Sequence, residues 1–149
     1  MSRGISGLFS PAAMAEQILD GGAKFQYISI YQSRRFVMLS REVGQALNAQ
    51  LNKELFSAYL YKAMSLEAKA KGLNGTASWL AVQSKEENTH ADKIEQYLLD
   101  QNYAVELDAI AKPDGSFKDL KELFEGVLRH EKEVTASILD LVRTARNAG

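Results

Sequence analysis

The sequence predicts an all-α protein with a four-helix-bundle architecture, three long helices of which lie in this chain, joined by a long crossover after the second. Three observations predict it. Three segments of close to thirty residues are rich in Ala, Leu, Glu, Gln and Lys, the residues with the highest helix propensity. Each segment repeats apolar residues at three- and four-residue spacing, the period of one buried helical face. The stretch from Tyr103 to Gly115, with Pro113-Asp114-Gly115 near its end, has no such pattern.

The first helix is predicted from Ser40 to Lys71, with Ser40 as N-cap and Gly72 as the stop signal. The turn Gly72-Leu73-Asn74-Gly75 leads into a second helix, from about Thr76 to Asn102. The third is predicted to start at Ser116, where Ser116 and Asp119 form a capping-box-like pair, and to run to about Asn147. At 1.5 Å per residue each helix is roughly 40–45 Å long. The connection from Tyr103 to Gly115, extended, reaches about 43–47 Å. It can therefore span the whole bundle and leave helices two and three pointing the same way, as in bundles with one long crossover.

Composition narrows the chemistry. The formal net charge is −1, so no global attraction to nucleic acid or an anionic membrane is expected. Cysteine is absent, which excludes disulfides, thiolate metal sites and catalytic thiols and leaves carboxylates and imidazoles as the metal-ligand chemistry. No apolar run approaches the roughly 20 residues of a membrane span. The first residues lack a charged start followed by an apolar stretch, so a cytoplasmic protein is the expectation.

Each apolar stripe is interrupted by a carboxylate. The first reads Leu47, Leu51, Glu54, Ala58, Tyr61, Ser65, and the third Leu120, Phe124, Val127, Glu131, Val134, Ile138, Leu141. On the second, Leu80, Glu87, His90, Ile94 and Tyr97 share a face. An ionised carboxylate without a partner costs several kcal/mol to bury. Three of them turned to one core call for a cation. Glu87 and His90 lie three residues apart, one turn on one side of a helix, and can share a metal or bridge two. The imidazole favours iron over calcium or magnesium, and the lack of thiolates argues against structural zinc. The Glu-x-x-His spacing alone is a weak signal; core-facing Glu54 and Glu131 make it specific. The plain alternatives are carboxylates at the core's edge on slightly rotated helices, and a core histidine satisfied by Glu87. Tyr61 either serves a metal-bound carboxylate or electron transfer, or simply fills the core. Glu86, Glu133 and His130 are expected to face solvent or a secondary cation path, Phe56, Trp79 and Phe124 to pack, and Lys69 and Lys71 to mark a solvated helix end.

These residues resemble a known family. Leu51-Asn52-Lys53-Glu54-Leu55-Phe56-Ser57-Ala58-Tyr59-Leu60-Tyr61 is similar to the first helix of the bacterial non-haem ferritins. Lys71-Gly72-Leu73-Asn74-Gly75 leading to Trp79, and Glu86-Glu87-Asn88-Thr89-His90-Ala91, resemble the second, and His130-Glu131-Lys132-Glu133-Val134-Thr135 the third. The resemblance covers about Met38 to the end. It implies that Glu54, Glu87 and His90 hold a first iron, and that Glu87 bridges to a second, which Glu131 also ligates. Tyr61 falls on the family's tyrosine beside the site. The implied reaction is oxidation of Fe(II) by dioxygen or peroxide, followed by mineral storage in a 24-subunit shell.

Two departures qualify this. The family continues into a fourth long helix and a short fifth, whereas this sequence ends at Arg146-Asn147-Ala148-Gly149. Without the fourth helix, apolar stripes would face an open side, with poor stability alone or rescue by a partner chain as the consequence, and the second iron site would be weak. Residues 1–37 have no counterpart in the family. Ser10-Pro11 opening Ala12 to Leu19, closed by Gly21-Gly22, reads as a short helix, and Phe25 to Tyr31 as strand-like. Either this extension covers the open face, or it is not a native part of the protein. In the second case Met38-Leu39-Ser40 is the start and Arg34-Arg35 is encoded by AGGAGG, a ribosome-binding sequence; other arginine codons there would remove that support. The function expected is iron binding and storage with ferroxidase-type oxidation. The alternatives are a non-catalytic helical assembly module with a vestigial site, and a rubrerythrin-like di-iron peroxidase, whose usual Cys-x-x-Cys module is absent.

Overall fold

The computed structural model describes residues 39–148, which form three helices: α1 (Arg41–Ala70), α2 (Asn74–Asp100) and α3 (Leu120–Asn147). The expectations for residues 1–37, including the domain boundary, lie outside the described residues. Ser40 caps α1 as expected, its side chain accepting from Val43 N at 3.2 Å. Gly72, at φ +73°, takes the left-handed conformation that ends α1, with Leu73 N donating back to Ala68 O at 2.9 Å. Asn102 does the same for α2 at φ 55°, with Tyr103 N donating to Leu98 O at 2.9 Å.

Two helix starts differ from expectation. Asn74 and Gly75 belong to α2 rather than to the turn before it. The third helix begins at Leu120, not Ser116, because Ser116 turns back on Asp114: its N and Oγ both donate to Asp114 Oδ1, at 3.1 and 2.6 Å. Asp119 is the N-cap instead, accepting from Glu122 N at 2.9 Å, while the Glu122 carboxylate accepts from Lys118 N at 2.8 Å.

The helix α1 is the centre of the fold, packed along α2 and, more sparsely, along α3. Both neighbours run antiparallel to it. Ser65 Oγ donates to Ala77 O early in α2, and Ser84 Oγ to Ala58 O further along, both at 2.8 Å. On the other side Ser57 meets His130, and Gln50 meets Ser137 seven residues on. Hence α2 and α3 are parallel, as the crossover requires. The crossover lies along α1. Gly44 leaves room for the Tyr103 ring. The Asn48 amide matches both backbone groups of Glu106 at 2.9 Å, and Asn52 Oδ1 accepts from Asp108 N at 2.9 Å. At its far end a Cβ on Gly115 would sit 2.7 Å from the Ala63 carbonyl carbon. Gly115→Ala is therefore expected to lower stability by about 1–3 kcal/mol in a denaturant titration, because helical backbone cannot yield as a side chain can.

Among the described residues the core falls into two clusters. One joins Leu60, Tyr61, Met64, Ala68, Ala77, Leu80, Phe117, Leu123 and Val127. The other centres on Leu51, Ala91 and Leu98. On α1 the predicted stripe is buried from Leu51 to Ser65. On α2 the buried line is Ala77, Leu80, Ser84, Glu87, Ala91 and Leu98, and Tyr97, predicted to share it, is 47% exposed. On α3 the predicted stripe merges two faces. Leu123 and Val127 are buried toward α1, whereas Leu120, Phe124 and Ile138 are exposed together with Leu128. Trp79 and Phe124 pack on each other at 5.6 Å between ring centroids but stay partly exposed. Exposed apolar surface thus runs along α3. Lys71 at the end of α1 is bound to Glu67 at 2.9 Å and lies 5.4 Å over the Phe117 ring. Among the described residues, no helix is long and apolar enough to cross a membrane.

Candidate metal centre

The site is built on the mid-regions of α1 and α2. Glu54 follows Leu51 by one turn on the buried face of α1, and Glu87 lies between Ser84 and Ala91 on that of α2. Packing of the two helices turns both carboxylates inward, with 3% and 7% of their surface exposed. His90, one turn beyond Glu87, is exposed and closes the group from the rim, its Nδ1 3.4 Å from Glu87 Oε2. Glu54, Glu87 and His90 each offer one ligand atom, and these atoms all lie within 4.8 Å of one another. Three of the four predicted ligands are therefore brought together.

Glu131, the fourth, is half-buried on α3 and accepts a hydrogen bond from Tyr61 OH rather than joining the group. Tyr61 is fully buried. Burial, then the bond to Glu131 and the charges of Glu131 and Glu87, hold its phenol far above the ordinary range, so it stays a proton donor. Of the two carboxylates for which the sequence left a place at the core's edge open, Glu54 is buried whereas Glu131 is only half-buried, and His90, being exposed, is not a core histidine.

The electrostatics suit a cation. The Glu87 carboxyl is pushed up to about 8, first by burial, then by the adjoining Glu54 carboxyl, and further by Glu131 and Glu86. Two carboxylates at this separation cannot both ionise cheaply without a positive charge between them. Glu54 Oε1 accepts from Gln50 Nε2 at 2.7 Å. Glu54 Oε2 is the one buried side-chain polar atom without a hydrogen-bond partner among the described residues. A carboxylate that keeps one buried oxygen without a donor, and that offers a ligand atom within 4.8 Å of those of Glu87 and His90, fits a divalent metal with mixed oxygen and nitrogen ligands.

His130 departs from expectation. It is half-buried, edge-on to Tyr61 at 5.9 Å, with Nε2 2.8 Å from Ser57 Oγ. The Ser57 hydroxyl donates to Lys53 O at 3.0 Å, so His130 donates from Nε2. Sitting one residue before Glu131, it shares the inward turn of α3 instead of facing solvent. Glu86 and Glu133 are exposed as expected. Gln50 and Ser137 escaped notice in the sequence; the signal for Gln50 was its place four residues before Glu54, on the same helical face.

Comparison with known proteins agrees with the fold. The profile of the family described as "Ferritin-like domain" matches residues 44–149. A bacterial non-heme ferritin of Campylobacter jejuni is 40% identical over 105 residues, covering 70% of this chain and 63% of that protein. One from Staphylococcus epidermidis is 37% identical over 110 residues, covering 74% of this chain and 66% of that protein. The chain thus spans just under two thirds of the length of these relatives. An open pore ferritin of the archaeon Archaeoglobus fulgidus superposes with a TM-score of 0.72 at 35% identity, over 74% of this chain and 67% of that one. With the family profile covering most of its length, and an all-α architecture shared with solved ferritins, the chain belongs to the ferritin-like domain family.

Proposed function

We propose that this chain takes up Fe(II) at Glu54, Glu87 and His90 and oxidises it at a di-iron carboxylate site, the first step in storing iron as a mineral. The observation that supports this reading best is the convergence of two buried carboxylates and one imidazole, with a buried oxygen of one of those carboxylates left without a partner. In this reading Glu87 would bridge two irons, and Glu131 would ligate the second from α3. Tyr61 holds Glu131 by its hydroxyl and thereby sets the distance at which that carboxylate meets a metal. Each Fe(II) gives up one electron; dioxygen takes two electrons and two protons and leaves as hydrogen peroxide, which is itself the alternative oxidant. The working protein in this reading is a cytoplasmic homo-oligomer.

Anaerobic Fe(II) titration followed by oxygen exposure, read by stopped-flow absorbance, tests the proposal. Saturable oxidation near two irons per chain is expected. Glu87→Ala is expected to lower its rate at least about 100-fold, since losing a ligand outweighs the 10–100-fold that losing a supporting partner costs. Oxidation no faster than the buffer blank would favour a second reading, a non-catalytic helical assembly module. The exposed row Leu120, Phe124 and Leu128 on α3 speaks for that reading.

A further inference from the structure

We propose that Gln50 is a positioning residue for the cation site: its buried side-chain amide, held from α3 by Ser137, fixes the Glu54 carboxylate so that Oε2 is left free for the metal. The proposal rests on the reading of Glu54, Glu87 and His90 as cation ligands.

Three hydrogen bonds carry it, one of them between α1 and α3. Gln50 is 3% exposed, so both ends of its amide require partners within the protein. Its Nε2 donates to Glu54 Oε1 at 2.7 Å. Its Oε1 lies 2.7 Å from Ser137 Oγ, which is also 2.9 Å from Val134 O. The chemistry allows one orientation of the amide when Glu54 is ionised. A carboxylate only accepts, so the NH2 end must face it, and the carbonyl end must then find a donor. Ser137 is that donor. The relay Ser137 to Gln50 to Glu54 occupies Oε1 and leaves Oε2, buried and unpartnered, as the ligand atom. It also ties the carboxylate to α3, a helix that supplies none of the three converging ligands. The spacing of α1 and α3 thus enters the geometry of a site built between α1 and α2. Partners that orient a ligand in this way govern metal affinity nearly as strongly as the ligands do.

The test is titration of the full chain with Co(II) chloride, followed by the visible d–d bands, which report coordination geometry as well as affinity. Gln50→Leu, which fills the same space without the amide, is expected to weaken binding about 10–100-fold and to alter the band shape. Ser137→Ala is expected to shift both in the same direction by a few-fold, and Ser137→Thr, which keeps the hydroxyl, to restore them. Loss of side-chain packing alone would not follow the hydroxyl in this way. Unchanged affinity and bands in Gln50→Leu overturn the proposal. Should Gln50→Leu lose its helical circular dichroism, the Ser137 pair decides: Ala weaker and Thr restored supports it, and both equal to the parent overturns it. Glu54→Ala and Glu87→Ala separate the two layers. If these bind Co(II) as the parent does, or the parent binds none, the site reading falls and the positioning role with it. If they lose binding while Gln50→Leu keeps it, only the positioning role falls.

Discussion

In the absence of metal, Glu87→Gln is expected to be more stable than the parent chain at pH 8, by on the order of 2–4 kcal/mol, and at the same time to lose cation binding. The Glu87 carboxyl is raised in the fold to about 8 from an ordinary 4.5. Between those values the folded chain holds a proton that the unfolded chain has released. Stability from this proton is complete below about pH 4.5 and is lost as pH rises through about 8, with a slope of at most about 1.4 kcal/mol per pH unit. Glutamine keeps the shape and remains neutral, so its curve should lack this decline. Urea midpoints from pH 5 to 9 in the presence of EDTA measure the difference. Parallel decline in parent and variant would assign the pH dependence to another group. A bound cation takes the place of the proton, so metal uptake near pH 7 should release acid. On the proposed reading the same carboxylate weakens the empty fold and makes the site, a conflict that marks functional residues.

How much of this was legible beforehand depended on whether one helical face or several carried the signal. On α1 and α2 a carboxylate interrupts a single apolar stripe, and Glu54 and Glu87 stood out because burial of such a group needs a reason. The crossover was legible from length alone, since its reach matched that of the helices. On α3 apolar residues occupy two faces, and periodicity cannot tell which one meets α1. The predicted stripe accordingly mixed Val127, which is buried, with Leu120, Phe124 and Ile138, which are not. The start of α3 was missed because Asp114 competes for Ser116 through local hydrogen bonds, as short polar side chains do in turns. Gln50 and Ser137 were passed over because a lone polar residue beside a core reads as surface until a partner on another helix is placed against it. The inward place of His130 was hidden for the same reason: its partner Ser57 is 73 residues away in the chain.

Leu51→Ala is expected to lower stability by about 2–5 kcal/mol, a large part of the roughly 5–15 kcal/mol of a whole domain. Leu51 is fully buried against Ala91 and Leu98. Truncation would leave a cavity that the facing alanine is too small to fill. The position also bears on the site. Leu51 precedes Glu54 by one turn on α1, and Ala91 follows Glu87 by one turn on α2. The lost contact is therefore adjacent to both carboxylates, and a looser α1–α2 seam widens the separation over which a metal must draw them together. Leu66→Ala, on the same helix but 58% exposed, should change stability by no more than about 0.5 kcal/mol and serves as the control. Urea unfolding followed by helical circular dichroism separates the two. Saturating Co(II) should recover part of the loss in Leu51→Ala, because a ligand that binds the folded state alone stabilises it by mass action. A deficit below about 1 kcal/mol would mean that the α1–α2 seam relaxes around the cavity and does not hold the carboxylates in place.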